Sequence, residues 1–251
     1  MPVDLINYEH GRLLYIPNDL YMGRFLREYG QYSPGEVEMF SKILRPGDIA
    51  IEVGAHLGVH TIPMGRMVAP SGSVMAFEPQ LHVYNLLAGN IALNGLSGVV
   101  TAVCMAAGAE QGQIVVPPID YDREANFGGC ALTPENDQGR PVQMVPLDAI
   151  TDYIQALRLI KIDAEGMEYE VLSGARKLIA RCRPYLYFED DRPEKSLGVL
   201  TLARSLGYRL YSHKPFYVTA ENRPDDLRGL VSTNVLGVPE ELRIKVELEE
   251  L

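Results

Sequence analysis

Four carboxylates in this chain each close an apolar run: Glu52 after Ile49-Ala50-Ile51, Glu78 after Val74-Met75-Ala76-Phe77, Asp163 after Leu159-Ile160-Lys161-Ile162, and Glu189 after Tyr185-Leu186-Tyr187-Phe188. Runs of this length read as buried strands. In a parallel sheet ligands bind beyond the carboxyl ends of the strands, so the four acids would meet at one edge. Glu52 is the most informative, because Gly54 and Gly58 follow it. A strand, a glycine turn and a helix start let a ligand approach the backbone, since glycine lacks Cβ and tolerates positive φ. The first helical N–H groups are left free to bind it. A pyrophosphate-binding turn needs G-x-G-x-x-G, and here His56 and Leu57 stand between the two glycines. An acid ahead of the turn instead suits a ligand with a positive charge and no pyrophosphate. Glu78, followed by Pro79, can accept both hydroxyls of a ribose diol; a solvated strand-end carboxylate is the plain alternative. An ammonium and a ribose together point to S-adenosylmethionine (SAM), with Glu52, Gly54, Ala55, His56, Gly58, Thr61, Glu78 and Pro79 as candidate contacts.

The run Asp163-Ala-Glu165-Gly166-Met-Glu168 supplies the second cluster. Glu168 and Glu170 are explained by the positive end of the helix that follows, and Glu168 is also a candidate at the substrate. Asp163 is not explained that way. An acceptor oxygen loses its proton as it attacks, and a carboxylate can take it, so Asp163 is the first candidate to orient or deprotonate the acceptor, with Glu165 and Glu189 next. Asp190 and Asp191 lie 27 and 28 residues beyond Asp163. Together these three aspartates are candidate ligands for Mg²⁺, which takes oxygen donors in octahedral geometry; a solvated acidic loop is the rival reading. His213 is a candidate substrate-edge residue. Asn126, ahead of Gly128-Gly129, fits a loop pressed against a ligand or an ordinary turn. His56 and His60 are spaced i, i+4, but their turn does not suit a metal pair.

These groups need a scaffold, and the pattern around them alternates strand and helix. Residues 1–45 read as a lead-in of short strands and turns and a helix opened by Ser33-Pro34-Gly35-Glu36, a capping-box sequence. Residues 46–240 carry the βαβ pattern of a mainly parallel sheet, and 241–251 form a tail. Within the main unit, 106–141 reads as an irregular insertion over the site with a short strand at Gln113–Val116. Val171, Leu172, Ala175, Leu178 and Ile179 predict one continuous helix. Acceptor specificity is expected in 106–141 and in the 213–231 loop.

The 251 residues are 47% hydrophobic and 22% charged, the make-up of an ordinary globular chain. With a net charge of −10 and no basic block, a nucleic-acid substrate is disfavoured. Three scattered cysteines suggest neither a disulfide framework nor a metal knuckle. The N-terminus lacks the pattern of a signal peptide, and no apolar run approaches the ~20 residues of a membrane span. A cytoplasmic protein without a membrane partner is the expectation, with the oligomeric state open.

Taken in order, the segments resemble the FkbM family of SAM-dependent methyltransferases. The likeness rests on Glu52-Val-Gly-Ala-His-Leu-Gly58 with Thr61, Ala76-Phe-Glu-Pro79, Asn90 with Asn94, Asn126-x-Gly-Gly129, Leu147-Asp148, Ile160 to Glu168, Leu172-x-Gly174-Ala175, and Arg183-Pro184 before Glu189. It spans about residues 30–240. The resemblance implies an α/β class I methyltransferase (Rossmann-like) fold: a seven-stranded, mostly parallel sheet with helices on both faces. It also implies SAM at Glu52, Gly54, Gly58 and Glu78, and methyl transfer to a hydroxyl of a small molecule such as a sugar or natural product, with nitrogen acceptors less often. Here Glu52 replaces the family's usual Asp, His56 its Asn and His60 its aromatic residue. The alternatives are an N-methyltransferase of the same fold, an NAD-type oxidoreductase and a SAM-binding protein without turnover.

Overall fold

The computed structural model describes residues 2–132, 138–219 and 229–251. The lead-in is a hairpin, β1 (Asp4–Tyr8) and β2 (Gly11–Tyr15), followed by α1 (Met22–Tyr29) and α2 (Pro34–Ile43). The α/β alternation then runs β3 (Ile49–Val53), α3 (Thr61–Val68), β4 (Ser73–Phe77), α4 (Leu81–Leu93) and β5 (Val100–Val103). A small excursion follows, with β6 (Ala106–Ala107), β7 (Gly112–Val116), β8 (Arg140–Val145) and a 3₁₀ turn at Leu147–Tyr153. The chain continues through β9 (Leu159–Ile162), α5 (Glu168–Ser173), α6 (Arg176–Cys182), β10 (Tyr185–Glu189), α7 (Pro193–Ser205), β11 (Tyr208–His213), β12 (Asn234–Pro239) and β13 (Glu249–Glu250).

The main sheet has the order β13-β11-β12-β10-β9-β3-β4-β5. From β10 to β5 every pair is parallel, while β12, β11 and β13 pair antiparallel. The expected seven strands are present, and the two-residue β13 adds an edge. Alternation along β3 splits the core in two. Ala50 and Leu159 pack into a cluster with Phe40, Ile62 and Leu87 from α2, α3 and α4. Ile51 and Ile160 face Leu172, Leu178 and Leu202 from α5, α6 and α7 on the opposite side. The sequence-based fold class is therefore the observed one. Among the described residues no helix is long and apolar enough to cross a membrane.

Four local expectations differ. Helix α1 stands where only strands and turns were expected. The predicted single helix after Asp163 is broken at Gly174, where an added Cβ would strike the Gly108 carbonyl. The Asp148 carboxylate then caps the second half, accepting hydrogen bonds from the Lys177 and Leu178 amides at 3.1 and 2.9 Å. The capping box also does not form: Ser33 lies at φ +46°, and its hydroxyl donates to the Glu36 carboxylate at 2.7 Å rather than accepting from the helix backbone. Finally, the insertion is less irregular than its composition suggests, because β6, β8 and β7 form a three-stranded sheet.

Two structures tie the periphery to the sheet edge. Asn90 on α4 donates to the Leu14 and Leu57 carbonyls and accepts from the Leu14 amide, pinning the hairpin to the glycine turn. Gln80 donates to the Phe127 carbonyl and accepts from the Tyr121 hydroxyl, and Asp19 accepts from the Phe127 amide. The lead-in and the insertion are thereby drawn together over the ends of β3 and β4. Of the two segments expected to govern specificity, 133–137 and 220–228 lie outside the described residues.

Candidate active site

A cavity of about 370 Å³ opens beyond the carboxyl ends of β3, β4, β9 and β10, walled by the lead-in and the insertion. Of the expected cofactor contacts, Glu52, Gly54, Ala55, His56, Glu78 and Pro79 line it. Gly58 and Thr61 are not among its lining residues, and the structure gives each another task. Gly58 holds φ +90° and has no room for a Cβ, which would come within 2.8 Å of Leu87. Thr61 donates its hydroxyl to the Glu52 carboxylate. Gly54, at φ +78°, borders the cavity, but its missing Cβ is required by the Asp163 carbonyl that passes over it.

The second strand end is organised around Glu78, which is 3% exposed. One carboxylate oxygen accepts from the His56 amide at 2.9 Å and the other from the Gln80 amide at 2.8 Å. Burial pushes its pKa up to about 7 even though both amides act to lower it. The His56 amide can reach Glu78 because His56 adopts φ +48°, a conformation that suits the family's Asn better than most residues. His60, in place of an aromatic residue, packs against Phe40 and Tyr32 with ring centroids 5.7 and 6.0 Å apart. Burial holds both histidines toward the neutral form, and neither Nε2 has a hydrogen-bond partner.

Asp163, Glu165 and Glu189 all reach the cavity, as does Asn126. Each of the three acids brings a carboxylate oxygen within 4.8 Å of the others. Glu165 sits at φ +52° and takes a 2.6 Å hydrogen bond from Arg192, yet burial and Asp163 raise its pKa to about 7. Glu189 is driven far above the usual carboxylate range by burial and by Asp163, Glu165 and Asp191, and its Oε2 is buried without a partner. Burial and the neighbouring acids both favour its protonated form.

Three other expectations are redrawn. Glu168 does not border the cavity; its carboxylate accepts from the Ala164 and Gly166 amides at 3.0 and 3.1 Å and fixes the turn after β9. His213 is bonded to the Tyr187 hydroxyl at 2.7 Å and lies outside the lining. Asp190 accepts from Ser196 at 2.9 Å, so Asp163, Asp190 and Asp191 are not assembled as a metal set. Among the described residues the triad with metal-like spacing is Asp163, Glu165 and Glu189.

Residues unread in the sequence complete the site. Lys161 on β9, 2% exposed, places its ammonium 3.5 Å from Glu52 and 3.2 Å from Asp163. Glu36 on α2, Tyr32, Tyr217 and Ser232 form the wall opposite Glu78's side, and Asp163 acts electrostatically on both halves. A lysine inside an Ile/Leu strand is the signal that could have flagged Lys161: a central parallel strand is buried on both faces, so its cation must be paired.

Residues 52–210 match the family model described as the methyltransferase FkbM domain. Methyltransferase sdnD of Sordaria araneosa is 26% identical over 153 residues, which cover 49% of this chain and 59% of that relative. The chain thus spans less than two thirds of that relative's length. Among solved structures, methyltransferase FkbM from Methylobacillus flagellatus KT superposes with a TM-score of 0.52 at 17% identity, over 81% of this chain and 50% of the other. Precorrin-6y C5,15-methyltransferase from Geobacter metallireducens GS-15 gives 0.50 at 13% identity, over 81% and 86%. At these identities the likeness is one of fold.

Proposed function

Because the chain belongs to the FkbM methyltransferase family, we propose that it moves the methyl group of SAM to the hydroxyl oxygen of a small molecule such as a sugar or natural product. The observation that carries this reading is Glu78. A carboxylate 3% exposed, fixed by two backbone amides and facing a cavity, has lone pairs left for the two hydroxyls of a ribose. The residues fit the cofactor in a second respect, because His56 Nε2, which borders the same cavity, is a buried polar atom without a partner.

When bound, SAM supplies an electrophilic methyl on a sulfonium. The chain's own groups then have separable tasks. Glu78 and the turn at Gly54–His56 hold the nucleoside and amino-acid ends. Asp163, at the junction of the two halves, orients the acceptor hydroxyl. Glu165 would accept the proton that the acceptor hydroxyl loses when it takes the methyl group. A carboxylate poised near neutrality suits that task, and alignment at near-attack distance supplies most of the acceleration.

Calorimetric titration with S-adenosylhomocysteine tests the reading, with NADH as control and with EDTA or Mg²⁺ added. One-to-one binding of the former alone, followed by methyl transfer to a hydroxylated acceptor, is the expected result. NADH binding, or no binding of either to folded protein, overturns it.

A further inference from the structure

Lys161 is the one cation among the described residues lining the cavity. It stands in register with Glu52 of β3 on one side and Tyr187 of β10 on the other, so the three side chains form a row across the sheet. Its ammonium lies within 3.2 and 3.5 Å of the Asp163 and Glu52 carboxylates, at 3% side-chain exposure. Burial alone would discharge it, but Asp163, Glu52 and Glu36 outweigh that and keep it charged. Asp163 follows β9 directly, Glu52 lies in β3 and Glu36 in α2, and α2 lies outside the family-matched residues 52–210.

We propose that Lys161 is a positioning residue for methyl transfer: its ammonium bridges the cofactor-side acid Glu52 and the acceptor-side acid Asp163, with the lead-in acid Glu36 lining the same cavity, and so fixes Asp163 at the acceptor. The proposal rests on the SAM-dependent reading above and deepens it. Glu52 is held from below by Lys161 and from the turn by Thr61, so its carboxylate is oriented before any ligand arrives. The Asp163 carboxylate, 36% exposed, takes its one charge-assisted hydrogen bond from Lys161. Without that bond it is left beside Glu165 and Glu189, whose carboxylate oxygens lie within 4.8 Å of it, with Glu78 and Asp191 also in its field. His56 and His60 are pushed toward neutrality by burial first and by Lys161 after that, and burial keeps Tyr187, the register neighbour of Lys161 on β10, protonated. The same ammonium makes the lead-in part of the site, because Glu36, drawn up to about 7 by burial, is held down chiefly by Lys161.

The test pairs Lys161→Met with Lys161→Arg in the full chain. Carboxyl titrations by ¹³C NMR are read on ligand-free protein, and kcat and KM on the enzyme with SAM. In Lys161→Met the Glu36 midpoint should climb above about 7, kcat should fall about 100-fold, and the acid limb of the kcat profile should move to higher pH. In Lys161→Arg the midpoint should stay put while kcat falls less, since the charge is kept and the point geometry is lost. Should Lys161→Met not fold, the Arg variant and Glu36→Gln still decide: the latter should lower the acid limb, by removing one of the acids competing for the cation. A merely structural lysine would lower the melting temperature and leave kcat and the limb of the folded variant unmoved, which overturns the proposal. If the midpoint moves but wild-type protein neither binds S-adenosylhomocysteine nor methylates anything, the function assignment fails and the bridge stands.

Discussion

The two walls of the cavity treat buried acid in opposite ways. On the β4 side Glu78 is isolated from other carboxylates within hydrogen-bond reach, and each of its oxygens is met by a backbone amide. On the β9–β10 side Asp163, Glu165 and Glu189 crowd within 4.8 Å, one oxygen of Glu189 has no partner, and Arg192 and Lys161 neutralise only part of the charge. A site whose dipoles are already in place binds without reorganising. On the crowded side burial and neighbouring carboxylates together raise the proton affinity of Glu165 and Glu189. The contrast is what a transferase with one invariant and one reactive partner requires: a fixed cradle beside a titrating face.

Breaking the reactive wall should have the largest effect. Asp163→Asn should lower kcat about 1000-fold while leaving S-adenosylhomocysteine affinity within twofold; single-turnover methyl transfer and calorimetry separate the two, and an active variant would remove Asp163 from the chemistry. Breaking the cradle should act the other way round. If Glu78 holds the ribose as proposed, Glu78→Ala deletes charge-assisted hydrogen bonds each worth about 1.5–3 kcal/mol and should weaken S-adenosylhomocysteine about 100-fold or more. Because it also orphans the His56 and Gln80 amides, its melting curve must be measured alongside, and unchanged affinity in a folded variant would sink the ribose assignment.

The same contrast predicts how stability responds to pH. Glu36, Glu78 and Glu165 are raised to about 7 and Glu189 further, whereas an unfolded glutamate titrates near 4.3. Between those values the folded state binds more protons than the unfolded one, so stability falls as pH rises. His56 and His60 are lowered and work in the opposite sense, but only below their unfolded value of about 6.5. Above it the glutamates act alone. Ligand-free protein should therefore lose stability from about pH 6.5 to 8, and a flat or rising melting temperature across that window would show the acids to be less buried than described.

The cradle was legible in the sequence and the titrating face only partly so. Glu52, Glu78, Asp163 and Glu189 announce themselves by closing apolar runs, and a parallel sheet gathers strand ends whatever the loops do. Glu36 gave the wrong signal and Lys161 a faint one. Glu36 looks like half of a capping box because local spacing cannot tell that Ser33 will turn its hydroxyl toward the carboxylate at φ +46°. Lys161 is a one-residue exception in an Ile/Leu strand, and its partner Glu52 lies more than a hundred residues away. Helix α5 ends early for a reason equally remote, the Gly108 carbonyl packed against Gly174. Strand β8 was hidden by Pro141, which ordinarily argues against a strand but pairs here with Val115 in a small three-stranded sheet.

The smallest expected effect sharpens the comparison most, because it asks whether the crowded wall carries the charge its composition suggests. Glu189 is pushed far above the carboxylate range by burial first and by Asp163, Glu165 and Asp191 after that. A neutral carboxyl and a carboxamide are nearly the same shape, so at about pH 4, where the unfolded glutamate is also largely protonated, Glu189→Gln should alter stability by no more than about 0.5 kcal/mol. The variant should then gain on the wild type as pH rises, since only the wild type must either keep a proton that solvent would remove or ionise beside three other acids. Denaturant titrations at about pH 4 and 7 give the two numbers. If the variant is already the more stable protein at the lower pH, Glu189 is ionised there, the like-charge repulsion is present in the resting state, and the wall is held together by its cations rather than by its protons.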